Sequence, residues 1–326
     1  MKKNLVAVAA LAVAGGAFAQ STVNLTGKLA FGYESVKAQS GAKANGLRVT
    51  DGDFVLTAVE DLGGGMKAQA SMAVQSRGRT TAVAGRDATV SLMGGFGVVT
   101  IGAVEAGNGI LGLAGAGAPV LGLDNGSTML AGGTNVDLLS YTTPNMGGFT
   151  AKLQMFDMSS TAAGSGTGGM ESTAVAQDGF VIGADYANGP VKFSADYTSY
   201  GANTAAAPVG DNRIRISGNY NLGVATVGLG FQKTALVGGT DVKDLALGVS
   251  APFGPVTVGL VYGTHKVGAG AANKGLDLGV QYDLSKRTNI RVVYQSIDVK
   301  NPASAPAAVI ATSTDTAVRI RVLHSF

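Results

Sequence analysis

Apolar and polar residues alternate with a period of two along most of the chain after residue 22. The last segment shows this most clearly, because Val318, Ile320 and Val322 alternate with Arg319 and Arg321. Successive side chains of a β-strand point to opposite faces of its sheet, so the alternation predicts strands with one apolar and one polar face. Sixteen such segments start near residues 23, 47, 66, 86, 97, 136, 148, 179, 190, 212, 224, 243, 255, 274, 288 and 314.

The connections between these segments alternate in length. Those after even-numbered strands are short and rich in Gly, Pro or Asn, as in 61–65 and 188–190, whereas most of those after odd-numbered strands are longer, including 37–46 and 105–135. All turns then lie at one rim and all loops at the other, which is typical of transmembrane β-barrels. Because a last strand without a further partner must pair with the first, we predict an all-β, 16-stranded antiparallel transmembrane β-barrel.

A soluble β-sandwich is the alternative, and the polar face argues against it. That face carries Lys, Arg, Asp and Gln throughout, which the dry interior of a sandwich does not accommodate. The apolar face also carries the aromatic residues, often near strand ends, as expected for the two aromatic girdles of a membrane barrel. These aromatic residues are Phe31, Tyr33, Phe149, Tyr197, Tyr220, Tyr262, Tyr282, Tyr294 and Phe326.

The first nineteen residues have the three parts of an export signal. A basic start, Met1 to Lys3, precedes the uncharged apolar stretch Leu5 to Ala14 and the small-residue cleavage site Ala17 to Ala19. We therefore expect residues 1–19 to be removed as a signal peptide and residues 20–326 to form a single outer-membrane domain.

Composition and charge exclude several other classes. The chain has no Cys, so we expect no disulfides or thiolate metal ligands. Without Lys2 and Lys3 there are 22 basic and 21 acidic residues and no basic run, which argues against nucleic-acid binding. No window of about 18 uncharged apolar residues follows the signal, which argues against membrane-spanning helices.

Several motifs resemble those of the general porins of Gram-negative bacteria, in their β-proteobacterial form. The matching segments are Glu60 to Gly65, Gly94 to Gly102, Tyr141 to Phe149, Tyr186 to Pro190, Tyr282 to Thr288 and the terminal Phe326. The resemblance spans the whole mature chain. It implies a homotrimer in outer-membrane lipid, a third loop folded into each barrel as a constriction, and delivery by periplasmic chaperones. It also implies that the barrel-assembly machinery reads Phe326.

The sequence departs from that family at positions that influence ion selectivity. Asp53 and Thr57 stand where relatives usually carry basic residues, and Ala103 and Ser140 stand where relatives often carry Arg. A strong preference for anions is therefore not carried over from the resemblance.

The longest connection, 105–135, is the predicted constriction loop. It is rich in Gly and has two charged residues, Glu105 and Asp124. Loops of this length within a compact domain are usually functional or disordered. Small residues would let the loop lie against the inner wall, whereas a mobile outer loop is the alternative.

Closure of the barrel should bring basic residues together. If Phe326 pairs near Val23, Arg321 lies near Lys28 and Arg319 lies one step above, all facing inward. Arg291 points the same way on the fifteenth strand. We therefore predict that the pore is lined by Lys28, Arg291, Arg319 and Arg321, facing Glu105 and Asp124. Such charges would create a transverse field across the lumen.

Inward-facing acids should offset this basic wall, so we expect only a slight preference for anions. The acids that face inward by the alternation are Glu34, Asp53, Asp185, Asp196 and Asp277. For any single residue, a solvated lumen face without a specific role is an equally good interpretation.

The sequence favours a passive porin for small hydrophilic solutes and ions. A catalytic site is not expected, because the only histidines are His265, in a predicted loop, and His324, near the rim of the outward face. We expect no metal or cofactor. A substrate-specific channel would need a lumen ladder of aromatic residues, and a structural barrel with a plugged lumen would show no conductance.

Overall fold

In a computed structural model the chain forms one closed barrel, described for residues 22–78, 83–105, 109–123, 128–130, 135–157, 178–201, 210–301 and 307–326. Each strand is antiparallel to its neighbour in sequence, and β16 pairs with β1. The strands are β1 Thr22–Ala38, β2 Lys43–Gly63, β3 Met66–Gln75, β4 Ala84–Gly94, β5 Gly97–Glu105, β6 Asn135–Thr142, β7 Phe149–Asp157, β8 Asp178–Asn188, β9 Val191–Tyr200, β10 Gly210–Asn221, β11 Thr226–Leu236, β12 Asp241–Phe253, β13 Val256–Val267, β14 Asn273–Asp283, β15 Thr288–Asp298 and β16 Thr314–Ser325.

All sixteen predicted strands are present, and the largest error in a start is at β2, which begins at Lys43 rather than near residue 47. The prediction of a longer connection over 37–46 was wrong. Strand β1 ends at Ala38 and β2 begins at Lys43, so only four residues connect them. The predicted signal peptide falls outside the described residues.

Two short helices lie between strands, α1 at Leu111–Ala114 and α2 at Ala307–Thr312. Within the described part of the chain, neither is long or apolar enough to cross a membrane.

The apolar face of the barrel points outward. Leu25, Leu29 and Phe31 on β1 are each more than half exposed, while Ala30 between them is fully buried. The same alternation continues around the sheet to Ile320 and Val322 on β16. A sheet with exposed apolar side chains on its outer surface suits a lipid environment.

The turns at one rim use glycine where the backbone requires positive φ. Gly63, Gly64 and Gly65, between β2 and β3, have φ angles of +78°, +61° and +80°. A residue with a Cβ adopts this region only at a cost, so three consecutive glycines fit this turn. This is one of the motifs that carried the family resemblance.

Candidate pore constriction and lumen

The described parts of the loop between β5 and β6, residues 109–123 and 128–130, lie inside the barrel. Its residues Ile110, Ala114, Leu123, Met129 and Leu130 are at most 1% exposed. They form the main buried apolar cluster of the described chain, together with the inward-facing wall residues Ala246, Val261 and Ile297. The buried core of the described residues therefore lies between the loop and the wall, as predicted for a loop folded inward.

The wall behind the loop is rich in glycines. We call this surface the glycine trough: Gly228 and Gly230 on β11, Gly248 on β12, Gly259 and Gly263 on β13, and Gly275 and Gly279 on β14. A Cβ at any of these positions would lie closer than 3.0 Å to an atom of the loop. The loop backbone consequently occupies space that side chains fill elsewhere in the barrel.

Hydrogen bonds from the wall hold the loop in place. Asp277 Oδ2 accepts the Gly122 N–H at 2.8 Å, and Gln295 Nε2 donates to the Gly122 carbonyl at 2.8 Å. Ser250 Oγ donates to the Ala116 carbonyl at 2.5 Å. Buried peptide groups need such partners, so these side chains fix the loop at a defined depth.

A set of charged side chains lines the wall where the barrel closes, and we call it the closure ladder. It consists of Lys28, Glu34, Arg48, Asp51, Asp53, Arg291, Arg319 and Arg321, on β1, β2, β15 and β16. Five basic groups stand against three acidic ones, a net charge of +2. The four basic residues predicted from the sequence therefore lie on the strands that close the barrel, and acids bind three of them, Lys28, Arg319 and Arg321.

Two carboxylates organise the upper part of the ladder around β1 and β2. Glu34 accepts from Arg319, with Nη2 at 2.6 Å and Nε at 3.2 Å, and from Arg48 Nη1 at 2.7 Å. Asp51 binds Arg321 and also Lys28 Nζ at 3.1 Å. Charge-assisted bonds of this kind hold long side chains in defined positions.

The lower part of the ladder is more loosely paired. Lys28 Nζ lies 3.4 Å from Asp53, which also accepts from Gln75 at 2.9 Å. Arg291 is directly opposite Arg321 in the register of β15 and β16. Its guanidinium donates to the neutral Gln281 side chain at 2.6 and 3.1 Å, so it keeps an uncompensated positive charge in these contacts.

The register expected at closure was wrong by four residues. Phe326 pairs with Gly27, with backbone N–H to O distances of 3.0 Å in both directions, and not near Val23. Arg321 faces Gly32, and Arg319 faces Glu34. Strands of a closed barrel are tilted and staggered, so the first strand overhangs the last. Lys28 and Arg321 still meet, because both bind Asp51.

Of the two acids predicted on the loop, the structure describes Glu105. Glu105, at the end of β5, forms an ion pair with Arg86 on β4, and its N–H donates to Asp87 Oδ1 at 2.6 Å. Its charge is thus answered by a neighbour on the adjacent strand. Asp124 falls outside the described residues.

Sequence reasoning missed Arg48 for a structural reason, and it overlooked Asp51 although Asp51 has the same parity as the predicted Asp53. The β1–β2 register contains a β-bulge, since Ala30 pairs with Asp51 and Phe31 pairs with Val49. The extra residue, Thr50, reverses the alternation, so Arg48 shares the inner face with Asp51. Strict period-two counting cannot detect such a change.

The ion pair between Arg215 and Asp196 on the inner wall was also missed by sequence reasoning. Arg215 on β10 binds Asp196 on β9, with Nε 2.9 Å and 3.0 Å from the two carboxylate oxygens. The Arg215 guanidinium also packs against the start of the loop at Gly109. The β9–β10 register sets the two residues opposite each other. Pairing β9 with β10 across their connection would have set Asp196 opposite Arg215, and this was the signal in the sequence that could have revealed the pair.

The expectation that His265 lies in a loop was wrong, because β13 extends to Val267. His265 is buried, and its Nδ1 lies 2.6 Å from Asp244 Oδ1 on β12. Gln232 donates to the other Asp244 oxygen at 3.0 Å. Across the residues that the structure describes, no group of three or more metal-ligating side chains is found.

Comparison with known proteins agrees with this architecture. Residues 6–302 match the family of Gram-negative porins. The chain is 32% identical over 314 residues to outer membrane porin protein 32 of Delftia acidovorans, covering 88% of this chain and 87% of that protein.

Solved structures show the same fold. An anion-selective porin from Comamonas acidovorans superposes with a TM-score of 0.70 and 25% identity, over 94% of this chain and 100% of the other. A loop-deletion mutant of OmpT from Vibrio cholerae, at 14% identity, has a TM-score of 0.67 over 94% and 99%. The second likeness concerns the fold alone.

A closed barrel that is apolar outside and charged within, with a loop folded into its interior, defines a transmembrane β-barrel channel. The family match covers most of the chain, and the Delftia relative covers it at 32% identity. The chain belongs to the Gram-negative porin family and is an outer-membrane porin.

Proposed function

We propose that this porin is a passive diffusion channel with a weak preference for anions, and that the closure ladder sets this preference. The observation that supports the proposal is the ladder's net charge of +2, in which Arg291 contacts only a neutral amide among the hydrogen bonds described. Paired acids reduce the field but do not cancel it. The anion-selective Comamonas porin is consistent with the same sign.

A planar-bilayer recording tests the proposal. Purified protein is placed in a tenfold KCl gradient, and the reversal potential gives the ratio of chloride to potassium permeability. We expect a ratio modestly above one. A reversal potential that favours potassium would contradict the assignment of the closure ladder, and absence of conductance would support a plugged structural barrel.

The alternative, a substrate-specific channel, predicts flux that saturates with solute concentration. Aromatic residues that could stack a substrate mostly point outward, with Tyr33, Tyr197 and Tyr294 each more than 40% exposed. Liposome-swelling rates for a series of neutral sugars distinguish the two, because passive diffusion predicts a linear dependence on concentration and a smooth fall with solute size. Membership of a porin family likewise supports a transport role and not an enzymatic one.

We also propose that the barrel assembles as a homotrimer through β2 to β5. Strands β3, β4 and β5 carry no aromatic residue, so the girdle is interrupted there. Alanines replace it, since Ala70 pairs with Ala58 and Ala88 pairs with Ala103 across adjacent strands. The outward face of these strands thus combines alanines with exposed aliphatic residues such as Met72, Val90 and Ile101, and an apolar surface without aromatic rings can pack against a second barrel. Ala70→Arg should lower the mass of the detergent-solubilised particle from trimer to monomer, whereas Leu229→Arg on β11 should not.

Export and assembly complete the proposal. Removal of residues 1–19 predicts a mature chain that starts at Gln20, which N-terminal sequencing tests. Phe326 closes the barrel against Gly27, and its ring is half exposed. This position supports recognition of the terminal aromatic residue by the assembly machinery and its chaperones. Phe326→Ala should reduce the amount of porin in the outer membrane more than it reduces refolding of the purified chain in detergent.

A further inference from the structure

The described lumen has two walls of different composition, and the seven residues of the glycine trough carry no side chain, although Asp277 lies between Gly275 and Gly279 on β14. Its seven glycines lie on four consecutive strands, β11 to β14, and all have the inward orientation shared by buried Ala246 and Val261. Ion selectivity does not require these seven glycines. What they have in common is that the described loop segments 109–123 and 128–130 lie over them.

The loop approaches the trough with its backbone, so the wall sets how deep it can lie. A Cβ at Gly228 would be 2.5 Å from the carbonyl oxygens of Leu113 and Ala114. At Gly248 and Gly279 it would overlap the carbonyl oxygens of Ala114 and Pro119. Backbone atoms cannot rotate away as a flexible side chain can, so a methyl group at these positions would displace the loop toward the lumen.

Apolar packing and hydrogen bonds hold the loop against the glycine trough. Ile110 and Ala114 are fully buried over β11 and β12, and Leu123 is 1% exposed over Gly263 and Gly275. The Gly122 peptide is bound on both sides by Asp277 and Gln295. The loop is therefore pressed to the greatest depth that the wall allows, and the remaining cross-section of the pore depends on that depth.

We propose that the glycine trough is the size-determining element of this porin: the absence of side chains on the wall behind the loop sets the free cross-section of the pore. This inference depends on the proposed channel function and adds a separate determinant to it. Charge preference belongs to the closure ladder on β1, β2, β15 and β16, so changes in the trough alter conductance and leave the reversal potential unchanged.

The test compares single-channel conductance of Gly248→Ala and Gly279→Ala with that of the wild type. Both should lower conductance on the order of tens of per cent, because a slightly narrower constriction passes fewer ions, and both should exclude the largest sugars that the wild type admits. Gly85→Ala on β4 is the matched control, because a Cβ there would meet no atom within 4 Å. Its conductance should equal that of the wild type.

A substitution in the loop covers the case in which a changed strand fails to fold. Ala114→Val adds volume at the same interface and leaves every wall strand unchanged, so it should lower conductance as well. A double substitution refines the test, since the Cβ of Gly230→Ala would lie 2.9 Å from Ala114 Cβ. Adding Ala114→Gly to Gly230→Ala should restore part of the lost conductance, with Ile110 Cβ at 2.9 Å limiting the recovery.

The outcomes separate the inference from the proposed function. A wild-type protein without conductance would overturn the channel proposal itself. A conducting wild type with unchanged conductance in Gly248→Ala, Gly279→Ala and Ala114→Val would overturn the size-determining role of the trough. An increase in conductance in these variants would overturn this role too, because the loop would then have detached from the wall instead of moving toward the lumen.

Discussion

The closure ladder and the glycine trough line the same lumen and are built in opposite ways. The ladder places long charged side chains on four strands and ties them through Glu34 and Asp51. The trough removes side chains from four other strands and fills the space with an apolar loop whose residues Ile110, Met129 and Leu130 are fully buried. We propose that one wall sets the electrostatic potential of the pore and that the other sets its shape.

The difference shows how a barrel can vary two properties independently. Charges act over a distance comparable to the Debye length, about 8 Å at physiological ionic strength, so the ladder influences ions without narrowing the path. Steric contacts act only at van der Waals distance. Substitutions in one wall are therefore expected to leave the property set by the other wall nearly unchanged.

Removing the loop should produce the largest effect. Replacement of residues 109–130 by a short Gly–Ser linker should raise single-channel conductance about two- to threefold, because the constriction disappears. The β-sheet content measured by circular dichroism serves as the control, since each of the sixteen strands pairs with two other strands and the described loop residues are not part of the sheet. Unchanged conductance would mean that the loop does not limit ion flow.

Neutralising the ladder should abolish the anion preference. Arg319→Gln combined with Arg321→Gln leaves three basic groups against three acidic ones, so the reversal potential in a KCl gradient should approach zero. Lys300→Gln is the control: it removes one charge at the outer rim, where Lys300 is 59% and its partner Asp298 53% exposed. An intact preference in the double variant would show that the selectivity resides elsewhere.

Removing the central acid should act in the opposite direction. Glu34→Gln raises the net charge of the ladder from +2 to +3, so the preference for anions should increase. Arg319 also loses its carboxylate partner, which should lower the free energy of unfolding by about 1–2 kcal/mol. Urea titration followed by far-UV circular dichroism measures the loss of stability. A decrease in anion preference would contradict the expected change in selectivity.

Loosening the loop should produce the smallest effect. Ser250→Ala removes the hydrogen bond to the Ala116 carbonyl, a loss of about 1 kcal/mol, and the loop should fluctuate more. We expect greater open-channel current noise with little change in mean conductance. Ser91→Ala is the matched control, because Ser91 bonds Thr100 across β4 and β5, away from the trough. Equal noise in the two variants would argue that this hydrogen bond does not restrain the loop.

Much of the fold could be predicted from the sequence, because period-two alternation and turn residues are local signals. The strand order follows from them once the ends are required to pair. Register does not, since it depends on the stagger of the closed barrel, and the expected pairing of Phe326 was displaced by four residues for that reason. The strand assignment of His265 failed because β13 extends close to the rim.

Most of the closure ladder could be predicted, because the alternation placed four of its basic residues and the acids Glu34 and Asp53 on the inner face. Arg319 and Arg321 lie on an unbroken alternation, whereas Arg48 is brought to the inner face by the bulge at Thr50. The glycine trough gave no signal, because glycine has no side chain to mark a face and the chain contains 50 glycines. Only the packed position of the loop distinguishes Gly248 from a glycine in an open turn.

We propose that the ion preference and the free cross-section of one water-filled pore are set by different walls. The most direct test records conductance and reversal potential in the same bilayer experiment, for the wild type, for Gly248→Ala and for the double variant Arg319→Gln, Arg321→Gln. We predict that Gly248→Ala lowers conductance at an unchanged reversal potential, and that the double variant shifts the reversal potential toward zero. A shift in reversal potential caused by Gly248→Ala, or none in the double variant, would contradict the claim.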